Sequence, residues 1–483
     1  MLLIPRLDDK SPIPQYLQLV DYIKREIASG RLAEQTRLPS IRALADYLSL
    51  SPTPVELAYN QLAAEGFIAS VPRKGYYVQH LPEPYLQLGI GDAEPQRPSK
   101  ADGVTKRAAP ARDAGTYPYD FHLSSIDGAH FPYRDRVWRS IFQELLVPER
   151  KELLWYGDPQ GEPGLREQIA KYAHQFRGVR CTKEQVIVGS DPHVLLTLLA
   201  KLLREHAGHI AVENPGYLLC PATFRQQGYE VTPVSLEEDG IHIGELYDCA
   251  ARIVCVSPSH QFPRGMIMPI AKRLQLLEWA RRTNGFIIED DIDGELRYYG
   301  RPIPSLQGLV PESDVIYLGG FAQVLAPAVG IHYMILPPSL LGAYQLMEYY
   351  TLFEQSAPRW NQQALQLFME RGHLERHVRR MRTLYRNKHD CLISAIRRHF
   401  GESAGITGTD AGFHMLMRFE SPHSDQELVR RAREAGIRLA SAAFTWLRPP
   451  AESRTEFFLG FGGIPIDRID EGIRRLSEVW LGD

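Results

Sequence analysis

In the stretch PQYLQLVDYIKREIASG, apolar residues recur every three or four positions, at Tyr16, Leu17, Val20, Ile23 and Ile27. That spacing predicts a helix over 14–30 with one buried face, ended by the permissive backbone of Gly30. Ser40, following Pro39, is placed to cap a second helix in SIRALADYLSL (40–50). Ser51 is placed to cap a third in PTPVELAYNQLAAEG, with Pro52 in its first position. Two short runs, FIAS and YYVQH, are joined by VPRKG and predict a two-stranded wing. Helix, turn, helix and wing in this order predict a winged helix-turn-helix over 1–82, with its third helix placed for a major groove.

The pattern changes from Tyr119 onward. QVIVG (185–189), HIAVE (209–213), RIVCVS (252–257), GFIIED (285–290) and DVIYLG (314–319) are apolar, rich in β-branched residues and of strand length. Amphipathic segments such as AKRLQLLEWARRTNG (271–285) separate most of them. Strands buried on both faces, with helical crossovers, predict an α/β domain built on a mainly parallel sheet with helices on both faces. ERHVRRMRTLYRNKHDCLISAIRRHF (375–400) then predicts one long helix, and FHMLMRF and TEFFLGF predict strands of a small α+β subdomain over about 375–483. Between the two patterned regions, residues 83–118 are rich in Pro, Ala, Gly and charge. That composition builds no core and predicts a flexible linker, leaving 119–483 as the large domain.

Composition narrows the class. A chain of 483 residues, 44% hydrophobic, has room for two or three domains. A net charge of −3 marks neither a polybasic nor a strongly acidic protein, and residues 1–80 carry nine Lys/Arg against eight Asp/Glu. Phosphate neutralisation supplies most non-specific affinity for DNA, so this arm is expected to bind weakly alone and to need a dimer. The five cysteines show no metal-ligand spacing. The start MLLIPRLDDKSPIPQ lacks the apolar run of a signal peptide, and no segment approaches the ~20 apolar residues of a membrane span. The expectation is a cytoplasmic protein with no membrane partner and no metal.

The text IASGRLAEQTRLPSIRALADYLSLS, AYNQLAAEGFI and a wing ending KGYYV resembles the GntR type of winged-helix domain. The resemblance implies double-stranded DNA as a partner, contacted through Arg37, Ser40, Arg42, Ser51, Thr53, Lys74 and Gly75. It departs from the family at the recognition helix, where Pro52 and either Glu56 or Leu57 stand in place of a Ser-Arg pair and a later arginine.

From about Asp120 onward, WYGDPQGEPGLREQIAKYAHQFRGVRCTKEQVIVGS, VENPGY, VSPSHQFPRG, FIIEDDIDGELRYYG and FMERGHLERHVRRMRTLYRNKHD resemble the fold type I aminotransferases. The form resembled is the one fused to GntR-type domains, the MocR group of regulators. The resemblance implies a homodimer with a pyridoxal-phosphate pocket. It implies that Gly189, Ser190 and Asp191 form an anion-holding turn at a helix start. Tyr217 matches the ring-stacking aromatic, and Asp290 the carboxylate that pairs with the pyridinium nitrogen. His260 and Gln261 lie on the loop facing the ring hydroxyl, with either residue matching.

Several positions in that pocket depart together. In LGGFAQVLAPAVGIHY (318–333), Gln323 stands where the Schiff-base lysine belongs, and an amide nitrogen cannot condense with an aldehyde. No lysine lies between Lys272 and Lys388. Gly320 and Ala322 replace two serines, Gly330 an arginine that would grip the phosphate, and Ile292 a tyrosine facing the ring oxygen. Phe458 falls roughly where catalytic relatives hold a substrate carboxylate with an arginine. Arg264 and His332 are candidates to replace the lost positive charge. The expectation is a DNA-binding regulator with no catalytic residue and no covalently bound cofactor. Its large domain dimerises and senses a small effector, and its pocket disfavours pyridoxal phosphate. The alternatives are a regulator holding pyridoxal phosphate without an internal aldimine, an active aminotransferase, and a protein-interaction scaffold.

Overall fold

The structure is a computed structural model that describes residues 7, 13–72, 74–80, 117–123, 136–291, 294, 297–298, 304–347, 357–409, 411–450 and 455–482. It divides into two units, 1–113 and 114–483. Most of the 83–118 segment lies outside the described residues.

In the first unit, helices α1 (Gln15–Ala28), α2 (Ile41–Leu48) and α3 (Pro52–Ala64) precede the antiparallel strands β1 (Ile68–Val71) and β2 (Gly75–Val78). The apolar stripe of α1 (Leu19, Val20, Ile23, Ile27) packs into one cluster with Val55, Ala58, Tyr59 and Leu62 of α3. Burying each large aliphatic side chain contributes roughly 1.5–3 kcal/mol. Ser40 caps α2 as expected, its hydroxyl accepting the Ala43 N–H at 3.2 Å. Ser51 occupies the cap position of α3 but makes no capping bond. The third residue of that helix is Pro54, which has no N–H to donate.

The second unit is built on an eight-stranded sheet. Following β3 (Tyr119–Asp120), its strands are β4 (Val186–Gly189), β5 (His209–Asn214), β6 (Glu230–Glu237), β7 (Gly240–Ile241), β8 (Ile253–Val256), β9 (Phe286–Asp290), β10 (Val315–Gly320) and β11 (His332–Ile335). Their spatial order is β4-β11-β10-β9-β8-β5-β6-β7. The run β10-β9-β8-β5-β6 is parallel, as the uninterrupted apolar segments predict, while β11 runs antiparallel to both of its neighbours. Alternation sorts the two faces. Val186, Val188, Tyr317 and Tyr333 enter one core, and Ile187, Ile316, Leu318 and Met334 enter another on the opposite face. Three strands of the sheet escape the sequence pattern: β6 carries Pro233 and charged ends, β7 is only two residues long, and β11 is a short antiparallel insertion.

The small subdomain adds β12 (Ala404–Thr407), β13 (His414–Phe419), β14 (Ile437–Arg438), β15 (Ala440–Ser441) and β16 (Glu456–Gly460). Four of these form a sheet in the order β12-β13-β16-β15, and β14 pairs in parallel with β3. The long helix His373–Phe400 and the helix Ile466–Leu481 supply its other layer. Among the described residues no helix is long and apolar enough to cross a membrane, and no acidic, histidine or cysteine cluster has metal-binding geometry.

Candidate functional site

Ligands of open α/β sheets bind beyond the carboxyl ends of the parallel strands. Here that edge collects most of the positions marked by the sequence. Gly189 ends β4, Asp290 ends β9 and Gly320 ends β10, while His332 opens the antiparallel β11 at the same edge. Register sets Gly189, His332 and Gly320 side by side in one row. A Cβ added to Gly320 would run into the imidazole of His332, so the small residue and the ring are packed as a pair.

The turn that would hold an anion is already occupied by one. Asp191 is the N-cap of the helix Pro192–Leu202, and its Oδ1 accepts the Val194 N–H at 3.0 Å. Pro192 removes a further N–H from the first turn. The Ser190 hydroxyl lies 3.2 Å from Asp191 Oδ2. A phosphate dianion approaching this helix start would meet a carboxylate instead of open donors.

His332 does not restore the balance. Its Nδ1 lies 3.3 Å from the Ser190 carbonyl oxygen, which assigns the proton to that nitrogen and leaves Nε2 an acceptor. Burial lowers its pKa, against smaller opposing contributions from the Ser190 carbonyl and Asp191. Arg264, the other candidate for replacing the lost charge, is committed elsewhere. It lies 3.3 Å from Glu456 and sits over the Trp446 ring at 5.7 Å, which corrects the expectation placed on it.

Gln323 sits half-buried in the turn after β10, and its amide makes no hydrogen bond among the described residues. The turn is pinned around it. His377 Nε2 reaches the Val324 carbonyl at 2.8 Å, and Asn361 Nδ2 donates to the Val329 carbonyl at 2.8 Å. Gly330 closes the turn at φ +59, against the Ser190 carbonyl. That left-handed backbone costs an L-residue roughly 1–2 kcal/mol, so the glycine is suited to the turn apart from any ligand. Ile292 lies outside the described residues. The side chains at these positions are an amide at 323, none at 330, and at 191 a carboxylate that caps the adjacent helix start.

An aromatic cluster joins Tyr217 and Phe262 to the small subdomain. Phe262 stacks on Phe458 with centroids 5.3 Å apart, and it meets Tyr217 edge-on at 5.7 Å and His414 at 5.4 Å. Phe444, exposed, adds a ring 5.7 Å from Phe458. His260 turns toward the small subdomain, 5.5 Å from His414 and against Gly412. Burial and then His260 lower the His414 pKa to about 3, so this ring is neutral. Gln261 is buried and used as a brace. Its Nε2 donates to Glu213, Pro215 and Phe262 oxygens, and its Oε1 accepts the Arg264 N–H at 3.1 Å.

Three groups escaped the sequence pattern. Glu213, 6% exposed, accepts from Ser257 N and Gln261 Nε2 at one oxygen, while its other oxygen has no partner among the described residues. Burial pushes its carboxyl up to about 8, with the nearby Asp290 acting in the same direction. The run Glu289-Asp290-Asp291 is divided by the two-residue period of a strand. Glu289 accepts the Leu306 and Gln307 N–H groups, and Asp291 forms a bidentate pair with Arg177 at 2.5 and 3.0 Å. Asp290, between them, is left half-buried on the other face. Three successive acids at a strand end were the signal available in the sequence.

In the first unit, Arg37, Ser40, Arg42, Ser51, Thr53 and Lys74 are all exposed. Arg37 bridges Tyr77 of β2, and its guanidinium lies 3.5 Å from where a Cβ on Gly75 would sit. The φ of +106 at Gly75 favours glycine and lets the arginine lie flat against the wing.

A family model described as bacterial regulatory proteins, gntR family, matches residues 15–78, and one described as aminotransferase class I and II matches residues 133–452. The uncharacterized HTH-type transcriptional regulator YhdI of Bacillus subtilis is 37% identical over 481 residues, spanning 99% of this chain and 98% of the relative. The probable rhizopine catabolism regulatory protein MocR of Rhizobium meliloti is 31% identical over 482 residues, spanning 98% and 95%. The HTH-type pyridoxine biosynthesis transcriptional regulator PdxR of Corynebacterium glutamicum is 29% identical over 476 residues, spanning 98% and 97%. A Pyrococcus horikoshii kynurenine aminotransferase structure shares the fold, with TM-score 0.67 and 23% identity over 75% of this chain and 91% of that one. Two units, each matching its own family in the order these regulators carry them, make the chain a member of the MocR/PdxR-type DNA-binding transcription regulators, with a GntR winged helix joined to a class I and II aminotransferase-like domain.

Proposed function

We propose that the aminotransferase-like domain performs no transamination and serves the regulator as a dimerising sensor that binds a small effector without a covalent bond. The observation that carries this reading is Gln323 at the Schiff-base position, together with the Asp191 carboxylate on the helix start that would hold a phosphate. The effector class follows from the side chains. Asp290, half-buried at the end of β9, favours a cationic or hydrogen-bonding group, and the Tyr217 and Phe262 rings, which reach solvent, favour a flat apolar body. A regulator needs only an effector that prefers one of two states of the protein, not turnover. Dimerisation is typical of the family. The exposed Leu146, Leu154, Trp155 and Tyr156 are apolar surface that a second copy would cover.

Purified protein sprayed under native conditions should retain a small non-phosphorylated molecule or take one up from an amine library, and incubation with pyridoxal phosphate should leave the near-visible absorbance flat. Stoichiometric yellowing with pyridoxal phosphate sinks the reading and favours the alternative in which Tyr217 and Asp290 hold that cofactor without an aldimine. Gln323→Lys alone should recover little capture, because the amine returns without the guanidinium at 330 and with Asp191 still in place. Full capture by this single variant would show that the lysine was the only loss that mattered.

For the DNA arm, Arg42 stands exposed on α2 with no carboxylate partner among the described residues. Arg42→Ala should weaken binding to the chain's own upstream intergenic duplex about tenfold by fluorescence anisotropy, the ~1–3 kcal/mol range of a contact to DNA. Unchanged affinity would remove this residue from the interface.

A further inference from the structure

The surface helices of the aminotransferase-like domain repeatedly match arginine with glutamate one turn away. Arg281 and Arg282 both bond Glu278, Arg430 bonds Glu427 and Glu434, and Arg474 bonds Glu471 and Glu478. The first half of the long helix His373–Phe400 departs from this rule. From Arg371 through Lys388 the chain has seven Lys/Arg and a single carboxylate, Glu375. Glu375 Oε2 is shielded from solvent near the Gly372 turn.

Arg376, Arg379 and Arg386 are exposed at steps of three and seven residues, which sets them along one side of the helix. Among the described residues Arg379 donates only to the Glu375 backbone carbonyl, and Arg376 to the Gly372 and Arg371 carbonyls and the His373 ring. Arg386 meets no carboxylate among the described residues. His373 reports the local field: burial, then Arg376 and Arg371, lower its pKa. The exposed face is thus a row of cations spanning about 15 Å at ~1.5 Å per residue. Along one strand of a duplex that length faces roughly four phosphates.

We propose that this face is a second DNA contact of the regulator, lying on the sugar-phosphate backbone while the winged helix reads sequence. The occupant is chosen by charge. The winged-helix region carries nine Lys/Arg against eight Asp/Glu, which leaves much of the phosphate charge of a bound duplex to be neutralised from elsewhere. Arg376, Arg379 and Arg386 supply cations with no carboxylate partner among the described residues, in a protein whose net charge is −3.

The test uses the full-length protein with two duplexes of equal length, its own upstream intergenic region and a random sequence. The logarithm of the binding constant is measured against the logarithm of salt concentration for wild type and for Arg379→Gln/Arg386→Gln. Each lost phosphate contact lowers the steepness of that line by ~0.9, so the double variant should lose about 1.8 on both duplexes. At ~0.15 M salt this corresponds to binding weaker on the order of 30-fold, with the ratio between the two duplexes unchanged. Arg379→Lys/Arg386→Lys, which keeps the charge, should restore the wild-type line, and Arg281→Gln/Arg282→Gln, which removes paired arginines, should leave it in place. An unaltered line in the glutamine variant overturns the proposal, and so does a fall in dimer content by sedimentation at constant salt slope, which would assign the face to a second copy of the chain.

Discussion

Arg177→Met should destabilise the aminotransferase-like domain by about 3–5 kcal/mol, the usual penalty for breaking a buried ion pair from one side. Asp291 is 5% exposed and receives both arms of the Arg177 guanidinium, with the Tyr317 hydroxyl donating at 2.6 Å. Arg177 also bonds the Ser259 hydroxyl, and its carbonyl accepts the Ser305 N–H. Without the guanidinium, a carboxylate remains in the core with a single side-chain donor. The movement of the urea midpoint at fixed protein concentration measures the loss. Arg177→Met/Asp291→Asn, which removes both charges, should recover most of it. A single variant that loses under ~1 kcal/mol would mean that water or a neighbour satisfies Asp291. The effect extends to the pocket, because Asp291 anchors the chain immediately after Asp290.

Glu213→Gln should change the pH dependence of stability more than any other single substitution at the pocket. The carboxyl is pushed up to about 8 in the folded protein, from 4.5 when unperturbed. Between those values the folded state binds the proton more tightly than the unfolded chain. The contribution to stability is therefore fully present below about 4.5 and is lost as pH rises through about 8. Glutamine cannot ionise, and its single oxygen can accept the Ser257 and Gln261 donors that Glu213 Oε2 now holds. The variant should match wild type within ~1 kcal/mol at pH ~5 and exceed it by roughly 2–4 kcal/mol at pH ~9, because each pH unit separating the folded and unfolded pKa values corresponds to ~1.36 kcal/mol. Parallel stability curves across that pH range would show that Glu213 ionises freely.

Much of the scaffold was legible before any coordinates. The α1 stripe, the Ser40 cap, β4, four of the five strands of the parallel run and the long helix are local events, set by period, capping and burial on both faces. β6 was hidden because Pro233 reads as a strand breaker, and β7 because two residues are too few to show a period. Ser51 stands at the cap position the sequence indicates yet makes no cap bond, since a cap also needs an N–H, and Pro54 has none.

The pocket divides in the same way. The chemistry of a glutamine amide needs no coordinates: Gln323 cannot condense with an aldehyde in any fold. Membership in the regulator group and the order of the two units were likewise written in the chain. Which of Glu289, Asp290 and Asp291 faces the pocket, that Gln261 is a brace, and that Arg264 belongs to Glu456 were decided only when distant segments met. The physical reason is range. Propensity and chemistry belong to a residue and its near neighbours, whereas desolvation and charge pairing depend on partners that lie 114 positions away for Asp291 and 192 for Arg264.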